Sequence, residues 1–129
     1  MNLHEFLSLV RRTGRSPSNR QFTGFGQLPS FADQLQTVRP RNVRAVIALP
    51  PWPVRSSRRW LHLLALATGY RADFTLIHRL AADLVPAVLN TGIVPIIEPL
   101  HERDLTTLEA NSEIIVNVLS RGTLLYEQL

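Results

Sequence analysis

The spacing of apolar residues predicts a short amphipathic helix at the start of the chain. Apolar positions recur at helical spacing through residues 2–13, and Gly14 ends the pattern. Residues 14–30 then lose all periodicity and collect Gly, Ser, Pro and Asn, which is typical of a long loop or an extended arm. A second short helix, FADQLQTV, is predicted to end before Pro40.

From residue 43 onward, strand-like and helix-like segments alternate. The apolar run VRAVIAL at 43–49 predicts a central strand, and the prolines that follow it cannot continue a helix or a ladder. The leucine-rich segment that follows Ser56 or Ser57, either of which can cap it, predicts a helix that ends at Gly69. ADFTLI at 72–77 predicts a second strand.

The rest of the chain continues this alternation. Residues 79–92 predict a helix that is kinked or restarted at Pro86, and 93–97 predict a third strand. Because Pro95 cannot donate to a ladder, this strand is expected at an edge or with a late start. Further helices are predicted at 104–110 and 112–120, and LLYEQL predicts a terminal strand or tail.

Together these elements predict an α/β fold with a small mixed or parallel sheet of three to four strands flanked by helices. A chain of 129 residues with 45% hydrophobic content fits a single domain. Within it, residues 1–42 are expected to form a helix plus a basic Gly/Ser/Pro-rich arm, and residues 43–129 the α/β core.

Charge is distributed unevenly along the chain, and all 14 basic residues are arginine. Residues 1–60 carry ten arginines against two carboxylates, a net charge of +8, whereas residues 61–129 carry four against eight, a net charge of −4. Codon composition can explain the missing lysine, but it does not explain the asymmetry. Since guanidinium groups bind phosphate and carboxylate in bidentate fashion, the basic half predicts a surface for nucleic acid or an acidic protein.

The segment PPWPVRSSRRW at 50–60 is the strongest binding candidate by residue type. Its tryptophans can stack on a base while its arginines hold phosphates, although tryptophans that plug the end of the sheet explain the same residues. The predicted contact residues are Arg11, Arg12, Arg15, Arg20, Arg39, Arg41, Arg44, Arg55, Arg58, Arg59 and Trp52.

The second half of the chain resembles small nucleotidyltransferase domains of the polymerase-beta type. The similarity spans residues 43–129 and rests on VRAVIAL, ADFTLI, HRLAADLVPAVLNTGIVPIIEPL and NVLSRGTLLYEQL, the last of which is similar to the family's closing phrase EGIxLYE. The resemblance implies a nucleotidyltransferase-like fold.

The residues that carry chemistry in that family are altered here. The family's Gly-Ser turn is replaced by Leu49-Pro50-Pro51-Trp52-Pro53, and the prolines remove backbone donors that would hold a triphosphate. The family also needs carboxylates at i and i+2 on the second strand, where Asp73 stands alone. The resemblance therefore implies a Mg²⁺-dependent active site only if Asp73 acts together with Glu98. A surface ion pair between Arg71 and Asp73 is the simpler interpretation.

No other motif defines a site. The four histidines lack the close spacing of a helical zinc site. His78 and His101 can approach the end of the sheet, where α/β proteins often bind ligands, but solvated loop histidines are the simpler interpretation.

The resulting hypothesis is a non-catalytic binding or assembly module that contacts nucleic acid or an acidic partner and needs no cofactor or metal. Three alternatives stay open: a divergent Mg²⁺-dependent nucleotidyltransferase, a homo-oligomer whose basic and acidic faces dock head to tail, and a structural subunit of a toxin–antitoxin or viral assembly. With no cysteine, no signal-like N-terminus and no membrane span in the sequence, a cytoplasmic location without membrane contact is predicted.

Overall fold

The computed structural model describes residues 2–13, 28–49, 60–69, 73–107 and 122–128. The helices are α1 (Leu3–Thr13), α2 (Leu28–Val38), α3 (Asp73–Asp83) and α4 (Val85–Thr91), with a 3-10 helix at Glu102–Thr107. The strands are β1 (Val43–Leu49), β2 (Trp60–Ala67), β3 (Val94–His101) and β4 (Thr123–Glu127).

The four strands form one mixed sheet in the order β3-β2-β1-β4. Strand β1 runs antiparallel to both β2 and β4, while β2 and β3 run parallel and are connected through α3 and α4. The predicted α/β class, with a small mixed sheet flanked by helices, is confirmed.

Apolar residues cover both faces of the sheet, and each face has its own helices. One face, here called the α1 face, packs against Phe6 and Val10 of α1 and Leu105 of the 3-10 helix. The opposite face, here called the α3 face, packs against Phe31 of α2, Leu80 of α3 and Ala87 of α4. The sheet is therefore the middle of three layers.

The helix predicted between a cap at Ser56 or Ser57 and Gly69 is wrong, because residues 60–67 form β2. Alternate residues of this strand enter opposite cores: Leu61 and Leu63 lie in the α3-face core, and Leu64 and Leu66 in the α1-face core. A strand buried on both faces reads as a continuous apolar run, which by periodicity alone is indistinguishable from a buried helix.

The strand predicted at 72–77 is also wrong, because residues 73–83 form α3. Leu76, Leu80 and Leu84 recur every four residues on the side that packs on the sheet, whereas Phe74 and His78 are exposed. A window of six residues is too short to reveal this period, and its β-branched and aromatic content favours a strand.

Other predicted elements are confirmed, some with shifted boundaries. Strand β1 covers 43–49 as predicted, and the helix restarts next to Pro86, which stands in the first turn of α4. Gly92 ends α4 with a φ of 72°. Strand β3 is an edge of the described sheet, as Pro95 predicts, and residues 123–127 form a strand.

The predicted arm at 14–30 and the predicted helices at 104–110 and 112–120 lie partly or wholly outside the described residues. The arm predicted at 14–30 overlaps α2, which begins at Leu28, and residues 14–27 lie outside the described part of the chain. The helix predicted at 104–110 is a 3-10 helix at 102–107, and the helix predicted at 112–120 lies outside the described residues.

The turn between α2 and β1 contains a strained arginine that offers a test of this backbone. Arg39 has a φ of 47°, and its N–H donates to the carbonyl of Leu35 at 2.9 Å, so it closes α2 in the left-handed conformation that usually requires glycine. Arg39→Gly is expected to raise the free energy of unfolding by about 0.5–1 kcal/mol, measured by urea denaturation.

Arg41→Gly is the matched control, since Arg41 lies in the same turn, carries the same charge and has no positive φ. It should lower the free energy of unfolding by about 0.5–1 kcal/mol. The same direction of change in both variants would contradict the described turn.

Candidate anion-binding end of the sheet

The strand directions bring four chain segments to one end of the sheet. Strand β1 begins there, and β2, β3 and β4 finish there, since Val43 pairs with Ala67, Ala67 with His101, and Ala45 with Glu127. Every arginine whose side chain is described belongs to this end, which we call the arginine end. The six residues are Arg11, Arg39, Arg41, Arg44, Arg79 and Arg103.

The parallel strands β2 and β3 stay paired to their last residues, Ala67 and His101, and the segments that follow them go to opposite faces of the sheet. Strand β2 leads to α3 on the α3 face, whereas β3 leads to the 3-10 helix, whose Leu105 packs on the α1 face. Neighbouring parallel strands with connections to opposite faces leave a crevice beyond their carboxyl ends, where open α/β sheets bind ligands. The arginine end therefore lies at the ligand-binding position of this architecture.

A cavity of about 380 Å³ opens on the α1 side of this point. Its volume falls in the range of small-molecule sites. The lining is almost balanced in charge, because Arg103 stands beside Glu102, and the Arg103 Nε lies 4.0 Å from the Asp104 carboxylate. Its described lining residues are Asn2, Leu3, Ala67, Gly69, His101, Glu102 and Arg103.

A narrower crevice lies on the α3 side, and it shares Ala67, Gly69 and His101 with the cavity. It is lined by both Arg41 and Arg79, with no carboxylate among its described lining residues. Its volume of about 20 Å³ holds little more than one water molecule, so a larger anion would rest at its mouth. Arg41 and Arg79 are exposed, and neither forms a salt bridge with a carboxylate in the described segments.

The backbone around the crevice is held in special conformations. Asn42 has a φ of 63°, and its carbonyl accepts the Thr68 N–H at 2.9 Å, which ties the turn before β1 to the end of β2. Gly69 follows with a φ of 98°, a value that side-chain-bearing residues rarely adopt. The hydrogen bond holds the turn that carries Arg41 against the end of β2.

Arg11 is at the same end but is already neutralised. Its guanidinium binds the Glu127 carboxylate in bidentate fashion, with the Nε donating at 2.9 Å and Nη2 donating to the second oxygen. The side chain of Glu127 is only 14% exposed and that of Arg11 is 43% exposed. The ion pair connects the end of α1 to the end of β4. Arg11 therefore helps to hold α1 against the sheet.

The other predicted contact residues divide into three groups. Arg39, Arg41 and Arg44 are exposed at the arginine end. The backbone of Arg12 lies in α1, but its side chain is outside the described set. Also outside the described residues are Arg15, Arg20, Arg55, Arg58, Arg59 and Trp52.

Sequence reasoning missed Arg79 and Arg103 because both stand in the half of the chain with net negative charge. Arg103 follows β3 directly, and Arg79 comes within two turns of the start of α3. The usable signal was position: residues just beyond the ends of parallel strands meet at one edge. Of the two histidines considered for this position, His101 ends β3 and lines both the cavity and the crevice. His78 does not follow a strand, because it lies within α3.

The two carboxylates of the enzyme alternative are not brought together. Asp73 begins α3, a helix on the α3 face, rather than standing on a strand. Glu98 lies on the α1 face, where its Oε2 is 2.7 Å from the His62 Nε2. Within the described residues, no group of three or more histidines and carboxylates is placed to hold a metal ion.

An exposed aromatic pair lies on α3, each member one residue before a residue that lines the crevice, Thr75 or Arg79. Phe74 is 70% exposed, and its ring centroid lies 4.2 Å from that of His78 with a tilt of 41°. An i, i+4 side-chain pair contributes about 0.2–0.5 kcal/mol to a helix, whereas burying a phenylalanine contributes about 1.5–3 kcal/mol. The contact between Phe74 and His78 therefore contributes less free energy than burial of the Phe74 ring would.

Comparisons of the chain with protein-family models, curated proteins and solved structures find no match. The resemblance to nucleotidyltransferases thus stays a prediction. Among the helices that the structure describes, none is long and apolar enough to cross a membrane.

The ion pair between Arg11 and Glu127 generates a stability prediction. Because it joins α1 to β4, Arg11→Gln and Glu127→Gln should each lower the free energy of unfolding. A double-mutant cycle should give a coupling energy of about 0.5–1 kcal/mol, measured by urea denaturation at low salt. A coupling energy of zero would show that the two side chains act independently.

Proposed function

We propose that this protein is a non-catalytic binding module whose arginine end holds the phosphates of nucleic acid. The observation that carries the proposal is the pairing of Arg41 and Arg79 on a crevice without a described carboxylate, at the carboxyl end of β2. Two exposed guanidinium groups on one crevice repel each other in the absence of a ligand. A bound phosphate would offset that repulsion and accept hydrogen bonds from both groups.

The spread of positive charge supports a polyanion as the ligand. Arg39 and Arg41 come from the turn before β1, and Arg44 comes from β1 itself. Arg79 comes from the helix after β2. A nucleic acid strand presents phosphates at regular intervals and can contact several of these arginines together. An acidic protein offers carboxylates, which guanidinium groups also bind in bidentate fashion, but it lacks this regular spacing. Binding to an acidic protein is the competing outcome of the test below.

The proposal predicts a salt-dependent interaction that requires Arg41 and Arg79. Labelled single- and double-stranded oligonucleotides should bind in fluorescence anisotropy, with an affinity that falls linearly on a log–log plot against salt. The Arg41→Gln/Arg79→Gln variant should lose about tenfold or more in affinity at low salt, and its salt slope should fall by about 2.

Arg11→Gln/Glu127→Gln is the matched control. It removes an arginine from the same end but leaves the net charge unchanged, because Arg11 is neutralised by Glu127. This variant should bind within about twofold of the native protein, provided that it is folded at the assay temperature. No binding to any oligonucleotide at low salt would overturn the proposal and assign the arginine end to an acidic protein or a second copy of the chain.

A further inference from the structure

We infer that Phe74 and His78 form a stacking platform for an unpaired nucleobase, so that the ligand is single-stranded nucleic acid. This inference rests on the proposed function, since the phosphate next to that base would lie at the mouth of the crevice. It adds the class of nucleic acid, which the arginines alone do not specify, because phosphates are common to single strands and duplexes.

The placement of the pair on α3 carries the inference. Thr75 and Arg79 stand four residues apart and line the crevice. Phe74 and His78 form the neighbouring row of the same helix at the same spacing, and both side chains are exposed. A strand whose phosphate contacts Arg79 therefore has an aromatic surface within reach of its next base.

The chemistry of the pair suits a base better than another apolar surface. Aromatic rings stack on the π-face of any base, so the contact tolerates sequence. A duplex cannot use the platform, because its bases are already stacked inside the helix. The charge of Arg41 and Arg79 suits any nucleic acid, and the exposed ring of Phe74 narrows the ligand to a flexible strand with unstacked bases.

The test compares three probes of equal length and label: a polythymidine strand of about 12 nucleotides, the corresponding abasic strand, and a duplex. The native protein should bind the polythymidine strand about tenfold more tightly than the abasic strand at the same salt. Phe74→Ala should remove most of that difference while leaving the affinity for the abasic strand and the salt slope unchanged. Phe74→Trp should retain the difference.

Leu89→Ala is the matched control, since Leu89 is the more exposed apolar side chain at 80% but lies on α4, away from the crevice lining. It should leave all three affinities unchanged. Because Phe74 and Leu89 are both exposed, neither truncation should lower the thermal midpoint appreciably, and that measurement verifies that the variants are folded.

The outcomes separate the two proposals. Equal affinity for the polythymidine and abasic strands, no effect of Phe74→Ala, or tighter binding of the duplex would overturn the platform while leaving phosphate binding intact. Failure to bind any of the three probes at low salt would overturn both proposals. Loss of the base-dependent difference in Phe74→Ala alone, with both arginines present, would support the platform.

Discussion

The central strands of this sheet are apolar on both faces, and the arrangement of the helices follows from that constraint. Residues of β1 alternate between two cores: Val46 and Ala48 face α2 and α3, while Ala45 and Ile47 face α1. A sheet buried on both sides must be covered on both sides. Helix α1 and the 3-10 helix cover one face, and α2, α3 and α4 cover the other.

The same constraint places the candidate site. The 3-10 helix that follows β3 is needed on the α1 face and the helix that follows β2 is needed on the α3 face, so the chain leaves the two parallel strands in opposite directions beyond their carboxyl ends. The crevice that results has walls from the turn at Arg41 and from α3 at Arg79. Layer packing thus sets the position of the site, and the exposed residues at that position set its charge.

The sequence allowed the class of the fold to be predicted, but not the path of the chain. The strand at 43–49, the helix restart at Pro86 and the edge position of β3 follow from β-branched content and from proline chemistry. The prediction reversed the helix and strand assignments of β2 and α3. For β2, WLHLLALA has no period that distinguishes a strand buried on both faces from a buried helix. Only the pairing with β1 and β3 decides it.

For the site, the charge asymmetry identified Arg39, Arg41 and Arg44 but overlooked Arg79 and Arg103, because a folded surface takes residues from both halves of the chain. Likewise, nothing in the sequence indicated that Arg11 and Glu127 form an ion pair across 116 positions. Net charge per segment describes a chain, whereas a binding surface depends on which charges are left unpaired after folding.

The most direct test of phosphate binding at the arginine end is a map of amide chemical-shift changes in the isotope-labelled protein on titration with a polythymidine strand. The largest changes should fall on Asn42, Gly69, Thr75 and His101, which line the crevice. The opposite end of the sheet, at Leu49, Trp60 and Val94, should remain unaffected. Changes concentrated at that opposite end would contradict binding at the arginine end.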